Sequence, residues 1–319
     1  MFSIFKKRKK ITNLSYPHNT NILWNKGIAM LCDHYELNAQ LRPESFANIK
    51  AGDLVWIRGG SIEQFFSEIF PKIEVPFALV TGDSVRSLPR EAKVPDLENI
   101  FNGQKLLHWF AQNCDAGNYL QSKITAIPLG IDFHSQYEKD SWRYNETLTP
   151  QDQEQRLLQL KKAANFERQC LAYADFQFNN TTRNLIKRDP SIKKDRKAIF
   201  KQLKKNPAVF FQKKRLLRES LWEAMSRFEF VISPHGTGLD CHRTWEALVL
   251  GSYVIVEPSV LDPLYSGLPV KIVQDYSEIS PTNLALWRAE FKQNYHYQQY
   301  FMRLTNQHWV DFMRAKLKH

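Results

Sequence analysis

Residues 230–258 read FVISPHGTGLDCHRTWEALVLGSYVIVEP and gather His235, Asp240, His242, Arg243 and Glu246 directly after an apolar run. Two chemistries could use such a group. The first is anion binding: Gly236 and Gly238, with Thr237 between them, let a backbone come close to a phosphate. The unpaired amides of a helix's first turn favour negative charge, and Arg243 in that turn offers an always-charged fork suited to a diphosphate. His242 and Glu246 are four apart and project from one helix face, with Arg243 beside them. The second is metal ligation, since His235, Asp240, Cys241, His242 and Glu246 are all able to ligate. No HExxH or paired-cysteine spacing is present, and His242 with Glu246 alone does not fill a tetrahedral shell, so no metal site is expected. A GxxxxGK[ST] loop is also missing, which disfavours ATPase-type chemistry. The plainer reading is that Arg243 and Glu246 form a helix ion pair, Asp240 is a cap and His235 is a loop residue.

The elements that must position these residues are legible nearby. Residues 230–232 are short, β-branched and aromatic, and Pro234 and two glycines stop them, as expected of a buried strand. Asp240 stands where an N-cap would stand, Trp245, Ala247, Leu248 and Leu250 follow at helical spacing, and Gly251 is a plausible stop. Residues 253–256 form a second strand. A strand, helix, strand unit lies in a parallel sheet, and such sheets bind ligands beyond their carboxyl ends.

The same beat runs through the chain. Apolar runs at 53–57, 77–80, 106–110 and 124–127 end at Arg58-Gly59-Gly60, Thr81-Gly82-Asp83-Ser84, Gln112-Asn113 and Pro128-Leu129-Gly130-Ile131-Asp132. The second half adds strands at 170–174, 208–211 and 270–273 and helices at 193–205 and 216–226. In the first of those helices Ile199 and Leu203 face inward and the lysines outward. This predicts an α/β fold of two Rossmann-like domains facing a central cleft, where two substrates would meet. Residues 1–140 form the first domain and 141–285 the second, with a polar linker over 134–155. A C-terminal helical segment, 286–319, packs across both, with Trp287, Phe291 and Tyr295 as a buried stripe.

Composition narrows the class. The chain has 319 residues, 43% of them hydrophobic, enough for two cores. No run of eighteen apolar residues occurs, and MFSIFKKRKK has its apolar part before its charges, so a cytoplasmic site of action is expected. That segment could add a peripheral contact with anionic membrane. Cys32, Cys114, Cys170 and Cys241 lie far apart and read as buried thiols. The net charge of +11 is concentrated: residues 161–220 carry seventeen Lys and Arg against five Asp and Glu. Such a surface suits an anionic partner or is simply a solvated face.

The order and spacing of Pro234, Gly236, Arg243, Glu246, Ala247 and Gly251 resemble the donor-site motif of exostosin-like glycosyltransferases and, more loosely, of the two-Rossmann-domain (GT-B) class. The chain has Cys241 where that pattern usually has Ser, and Val254 where it has Pro. The segment at 127–132, IPLGID, is similar to the end of the N-terminal domain in many two-domain glycosyltransferases. The resemblance implies a metal-independent transfer from a nucleotide-sugar, bound by the second domain as co-substrate with no further cofactor, to a glycan or lipid-linked acceptor bound by the first. It implies that Glu246 receives the ribose hydroxyls. Arg183 and Lys214 lie at loop ends where they could neutralise the leaving diphosphate. Asp83 is the expected base and Arg58 an acceptor-orienting group. The alternatives are a nucleic-acid-binding protein using the basic 161–220 surface, which lacks RRM or helix-turn-helix cues, and a non-catalytic sugar-nucleotide-binding scaffold.

Overall fold

The computed structural model describes residues 16, 18–116, 123–138, 147–164, 167–178, 192 and 194–318. Strands β1 (His34–Glu36), β2 (Leu54–Arg58), β3 (Phe77–Gly82), β4 (Leu106–Gln112) and β5 (Ile124–Ile127) form one sheet in chain order, every pair parallel. A second sheet, also parallel throughout, has the order β10-β9-β8-β6-β7. Its strands are β6 (Gln169–Ala174), β7 (Val209–Phe211), β8 (Phe228–Ile232), β9 (Tyr253–Val256) and β10 (Val270–Ile272). The expected pair of Rossmann-like α/β domains is present.

The helices that matter for the site are α1 (Asn25–Ala29), α2 (Pro150–Ala163), α3 (Arg196–Leu203), α4 (Arg218–Ser226), α5 (His242–Val249), α6 (Pro281–Asn294) and α7 (Asn306–Lys316). Each begins where local chemistry allows. Thr149 and Asp152 form a reciprocal capping box ahead of α2 with Pro150 in its first turn. Asp195 caps α3, whose Ile199 and Leu203 are buried while Lys197, Lys201 and Lys204 face solvent. Two expectations are corrected. The polar stretch taken as a linker over 134–155 runs into α2, because the Thr-Pro-x-Asp start signal outweighs a weakly apolar face. Asp240 does not cap α5: Cys241 holds the cap position without a side-chain bond, and the Asp240 carboxylate is used elsewhere. The expected domain boundary at 140 falls outside the described residues.

Sheet order dictates how the first domain is covered. Right-handed crossovers between sequential parallel strands place the connections from β1 through β4 on one face. On that face Val55, Ile57, Leu79 and Trp109 pack against Phe46, Phe65 and Phe101 from those connections. Alternate residues point to the opposite face, where Leu54, Trp56, Val80 and Phe110 meet Ile28 of α1 and Trp309, Val310 and Met313 of α7. The two ends of the chain thus close a face its middle leaves open. Helix α6 packs on the second sheet, with Trp287 and Phe291 buried against Phe230. The cluster under α1 and α7 continues through Leu157 of α2 and Trp222 of α4 to Val231 and Trp245, so the domains share apolar contacts. Among the described residues, no helix is long and apolar enough to cross a membrane.

Asn306, fully buried, fastens the chain's two ends together. Its side chain accepts the Trp24 N–H (3.0 Å) and donates to the carbonyls of Thr20 (2.8 Å) and Ile22 (3.0 Å). Removing it leaves buried backbone groups unpaired, at about 1–3 kcal/mol. Asn306→Ala should lower the unfolding free energy measured by urea titration by that amount; an unchanged value would show that water or relaxation replaces the amide.

Candidate functional site

The order β10-β9-β8-β6-β7 reverses direction between β6 and β8, and ligands of open parallel sheets sit at that switch point, beyond the carboxyl ends of the strands. The segment that follows β8 is the glycine loop and α5; the segment that follows β6 carries Asp175 and Gln177. Facing them are the carboxyl ends of β3, β4 and β5, with Asp83, Asn113 and Asp132. Between the two sets lies a cleft of about 640 Å³, lined from both domains.

The loop after β8 is built around close approaches. A Cβ on Gly236 would stand 3.0 Å from the Arg196 guanidinium, and one on Gly238 would stand 2.9 Å from the Asn113 amide of the first domain. Both glycines serve protein–protein proximity here. Arg196 donates to the carbonyls of His235 (2.8 Å) and Pro234 (3.0 Å), which fixes the loop and leaves a cation beside it. Asp240 is buried. Its carboxylate accepts the Leu129 N–H of the first domain (2.8 Å), the Cys241 N–H (2.8 Å) and the Trp245 indole N–H (2.9 Å). The backbone N–H of Asp240 donates to Asn113 (2.8 Å), and the His242 ring meets the Gly130 carbonyl at 2.7 Å. The two stretches singled out in the sequence, 127–132 and 234–246, therefore touch. Gly130 has φ +71° and its Cβ would collide with the Leu23 carbonyl at 2.4 Å, so only glycine fits there.

On α5, Arg243 pairs with Asp175 (2.7 Å) and Glu246 with Arg218 of α4 (2.9 Å), so the pair between Arg243 and Glu246 allowed by their spacing does not form. Arg218 also reaches Asp132 across the cleft (3.5 Å), and Asp132 meets Nδ1 of His134 (3.2 Å). On the first domain's wall Asp83 holds a left-handed backbone conformation, φ 49°, which a non-glycine residue adopts at some cost. Its carboxylate contacts Arg58 (3.0 Å), Lys26 (3.8 Å), Asn25 (3.4 Å) and His134 Nε2 (3.9 Å). Lys26, fully buried beneath it, is neutralised further by Glu138 (2.6 Å).

Protonation follows from these surroundings. Burial resists charging of Asp132, but His134, Arg218 and His242 outweigh it and hold the carboxyl far below the usual range. Burial pushes His134 down, Lys26 adding to the effect against the pull of Asp132. Burial also raises Asp240, three N–H donors notwithstanding, and raises the Cys241 thiol despite Arg196 nearby. Arg243 is raised: desolvation opposes its charge, and Asp175 prevails.

Of the residues singled out from sequence, Asp83, Gly236, Thr237, Gly238, Asp240, His242, Arg243 and Glu246 line the cleft. His235 lies off the cleft lining: it is buried, its ring bonded to the Leu239 carbonyl (2.7 Å) and near Glu257. Lys214 is exposed on the loop after β7 and does not line the cleft. Arg58 stands behind Asp83 and is spent on it. Arg183 lies outside the described residues. Sequence reasoning missed Asn25, Asn113, Asp132 and His134 as site residues, and Arg196 and Arg218. The two arginines were hidden among seventeen cations, although each opens a helix whose first turn reaches the sheet edge. Asn113 carried a weak signal, since asparagine tolerates the left-handed conformation it adopts (φ 51°) at the end of a strand.

Fold and site together define a two-domain parallel α/β protein with a charged interdomain cleft. No protein-family model matches the chain, and no curated protein does. Among solved structures it is similar to an alpha,alpha-trehalose-phosphate synthase (UDP-forming) from Burkholderia vietnamiensis, at 10% identity and a TM-score of 0.43 over 92% of this chain and 74% of that one. The alpha,alpha-trehalose 6-phosphate synthase of Burkholderia multivorans gives 12% identity and a TM-score of 0.42 over 92% and 75%. The Burkholderia xenovorans synthase in complex with glucose-6-phosphate gives 9% and 0.36 over 85% and 74%.

The buried histidines set an acid response. A histidine whose folded pKa lies below its unfolded value of about 6.5 stabilises the fold fully above that pH, and the contribution is lost as pH falls through it. His134 is of this kind, and His108 in the core, pushed down to about 4 by burial, is another. Urea midpoints should therefore fall between pH 7 and pH 5, and fall less steeply in His134→Gln. Identical slopes for wild type and variant would contradict the neutral, buried state of His134.

Proposed function

We propose that this protein is a glycosyltransferase, of the GT-B type and exostosin-like in its donor motif. In this reading it takes a sugar from a nucleoside diphosphate held by the second domain and passes it to a hydroxyl of a glycan or lipid-linked acceptor on the first. The observation that carries the reading is the position of Arg243 and Glu246. Both sit on the first two turns of the helix that follows β8, beside the switch point, and both line a cleft wide enough for a nucleotide-sugar. Arg243 and Arg196 supply fixed positive charge where a diphosphate would depart, so the charge that develops there meets guanidinium groups in place of a bound metal. Glu246, near the second-domain wall, offers a carboxylate to the ribose hydroxyls once Arg218 turns fully to Asp132. Peripheral contact with an anionic membrane through the N-terminal basic segment belongs to the same proposal; that segment lies outside the described residues.

A thermal-shift panel of UDP, GDP, ADP and CMP with their sugar conjugates tests it. At a free ligand concentration about a hundred times Kd, binding adds about 2.7 kcal/mol to stability, a clear rise in Tm. One base should dominate. Glu246→Gln and Arg243→Gln, both folded, should each weaken that ligand at least about tenfold, or about 1.4 kcal/mol. No response to any nucleotide, together with salt-sensitive oligonucleotide binding, would replace the transferase with a nucleic-acid-binding function of the basic face.

A further inference from the structure

His134 stands just past the 127–132 segment, at the start of the short helix His134–Tyr137, and lines the same cleft as Arg243 and Glu246. Its two ring nitrogens face different carboxylates. Nδ1 is 3.2 Å from Asp132 Oδ1, and Nε2 is 3.9 Å from Asp83 Oδ1. The charged groups around it come from every side of the cleft: Asp132 after β5, Asp83 after β3, Lys26 from α1 and His242 from α5, whose ring centroid is 6.2 Å away. Arg218 of α4 holds the other oxygen of Asp132 at 3.5 Å, and the Ser135 N–H donates to Asp132 Oδ1 (3.0 Å). Asp132 is thereby fixed as a carboxylate beside Nδ1, close enough to favour the proton there although the bond is not aligned in this structure, and Nε2 is left facing the first-domain wall.

Asp83 is placed differently. Arg58 and Lys26 engage its Oδ2 at 3.0 and 3.8 Å, and Asn25 donates to Oδ1 at 3.4 Å. A carboxylate held by three donors is fixed in place and can anchor a hydroxyl. The 3.9 Å separation of its Oδ1 from His134 Nε2 exceeds hydrogen-bond reach. It suits two neighbouring hydroxyls of one sugar ring, one donating to each group.

Resting on the transferase reading, we propose that His134 is the catalytic base, oriented by Asp132, and that Asp83 positions an adjacent hydroxyl of a carbohydrate acceptor. The acceptor hydroxyl gives its proton to His134 Nε2 as its oxygen bonds the anomeric carbon. The anomeric carbon–phosphate oxygen bond breaks, and its electron pair leaves with the nucleoside diphosphate beside Arg243 and Arg196. The product glycoside then has the anomeric configuration opposite to the donor's. His134 becomes an imidazolium between two carboxylates and returns its proton to solvent. Burial holds the resting imidazole neutral, as a base must be.

The test uses the full chain, with the nucleotide-sugar that gives the largest thermal shift and D-glucose, D-mannose and D-galactose as trial acceptors, water serving as the background acceptor. Nucleoside diphosphate release is followed against pH, and the anomer formed is read by proton NMR. His134→Gln should keep the wild-type thermal shift, release diphosphate at least about a hundredfold more slowly, and lose the acid limb of the kcat profile. Asp83→Asn, which tolerates the left-handed backbone, should raise the acceptor KM more than it lowers kcat. In histidine labelled with nitrogen-15, His134 should be neutral with its proton on Nδ1 at pH 7. Turnover of His134→Gln within tenfold of wild type, a retained configuration, an imidazolium signal at pH 7, or donor binding without any release overturns the role of His134 alone. If no nucleotide-sugar shifts Tm, the transferase reading fails first and this inference goes with it.

Discussion

The two domains are held in register by one buried carboxylate. Asp240 belongs to the second domain, yet it accepts the Leu129 N–H of the first, while its own backbone N–H donates to Asn113 at the end of β4. Domains joined by a modest polar interface ordinarily move against one another. Here the carboxylate bonds both sides and also the Trp245 indole inside α5, so the helix that carries Arg243 and Glu246 is indexed directly to the first domain. With the His242 contact to Gly130 and the Arg218 contact to Asp132, this tie sets the width of the cleft and the distances that relate Glu246, Arg218, Asp132 and His134. Burial works against the charge of Asp240, and it is the N–H donors that make the position tenable.

From that junction a line of polar side chains crosses the cleft, carboxylates alternating with cations except at the neutral His134: Glu246, Arg218, Asp132, His134, Asp83, then Arg58 and Lys26, and finally Glu138. Replacing such buried pairs with apolar groups of equal volume often leaves stability unchanged or improved, so stability is a weak account of why they are there. A chain of paired charges does something apolar packing cannot, because it gives each member one orientation and one protonation state. It also makes members interdependent. A ligand that hydrogen-bonds Glu246 would compete with Arg218, and whatever Arg218 releases it can give to Asp132, so occupancy of one wall of the cleft would be felt at the other.

Much of the architecture was legible in the sequence because strands buried on both faces are written as short, nearly continuous apolar runs. The strands at 53–57, 77–80, 124–127 and 253–256 were found within a residue or two at each end. The short strand His34–Glu36 and helix Asn25–Ala29 were not, since three and five residues carry no period. The α5 face of the site was legible because glycine, arginine and glutamate sit within a dozen positions of each other. Much of the rest of the cleft comes from residues far away in the chain. Asp132 meets Arg218 across 86 residues and His242 meets Gly130 across 112, separations that no local pattern records. Lys214 and His235 lie on loops beside the second sheet, yet neither lines the cleft.

The C-terminal helix shows how such long-range matches arise from topology. Five parallel strands in sequential order commit their crossovers from β1 through β4 to one side, which obliges some other segment to cover Leu54, Trp56, Val80 and Phe110. That segment is α7, nearly two hundred residues further on. To reach it the chain must pass over the second domain, where α6 lies on the second sheet. The tail that completes the first core consequently straps the two domains together from behind, opposite in chain terms to the Asp240 junction. A domain boundary drawn along the sequence therefore separates residues that the fold joins, because the first domain's core is completed by the far end of the chain while the core under α6 is built from second-half residues alone.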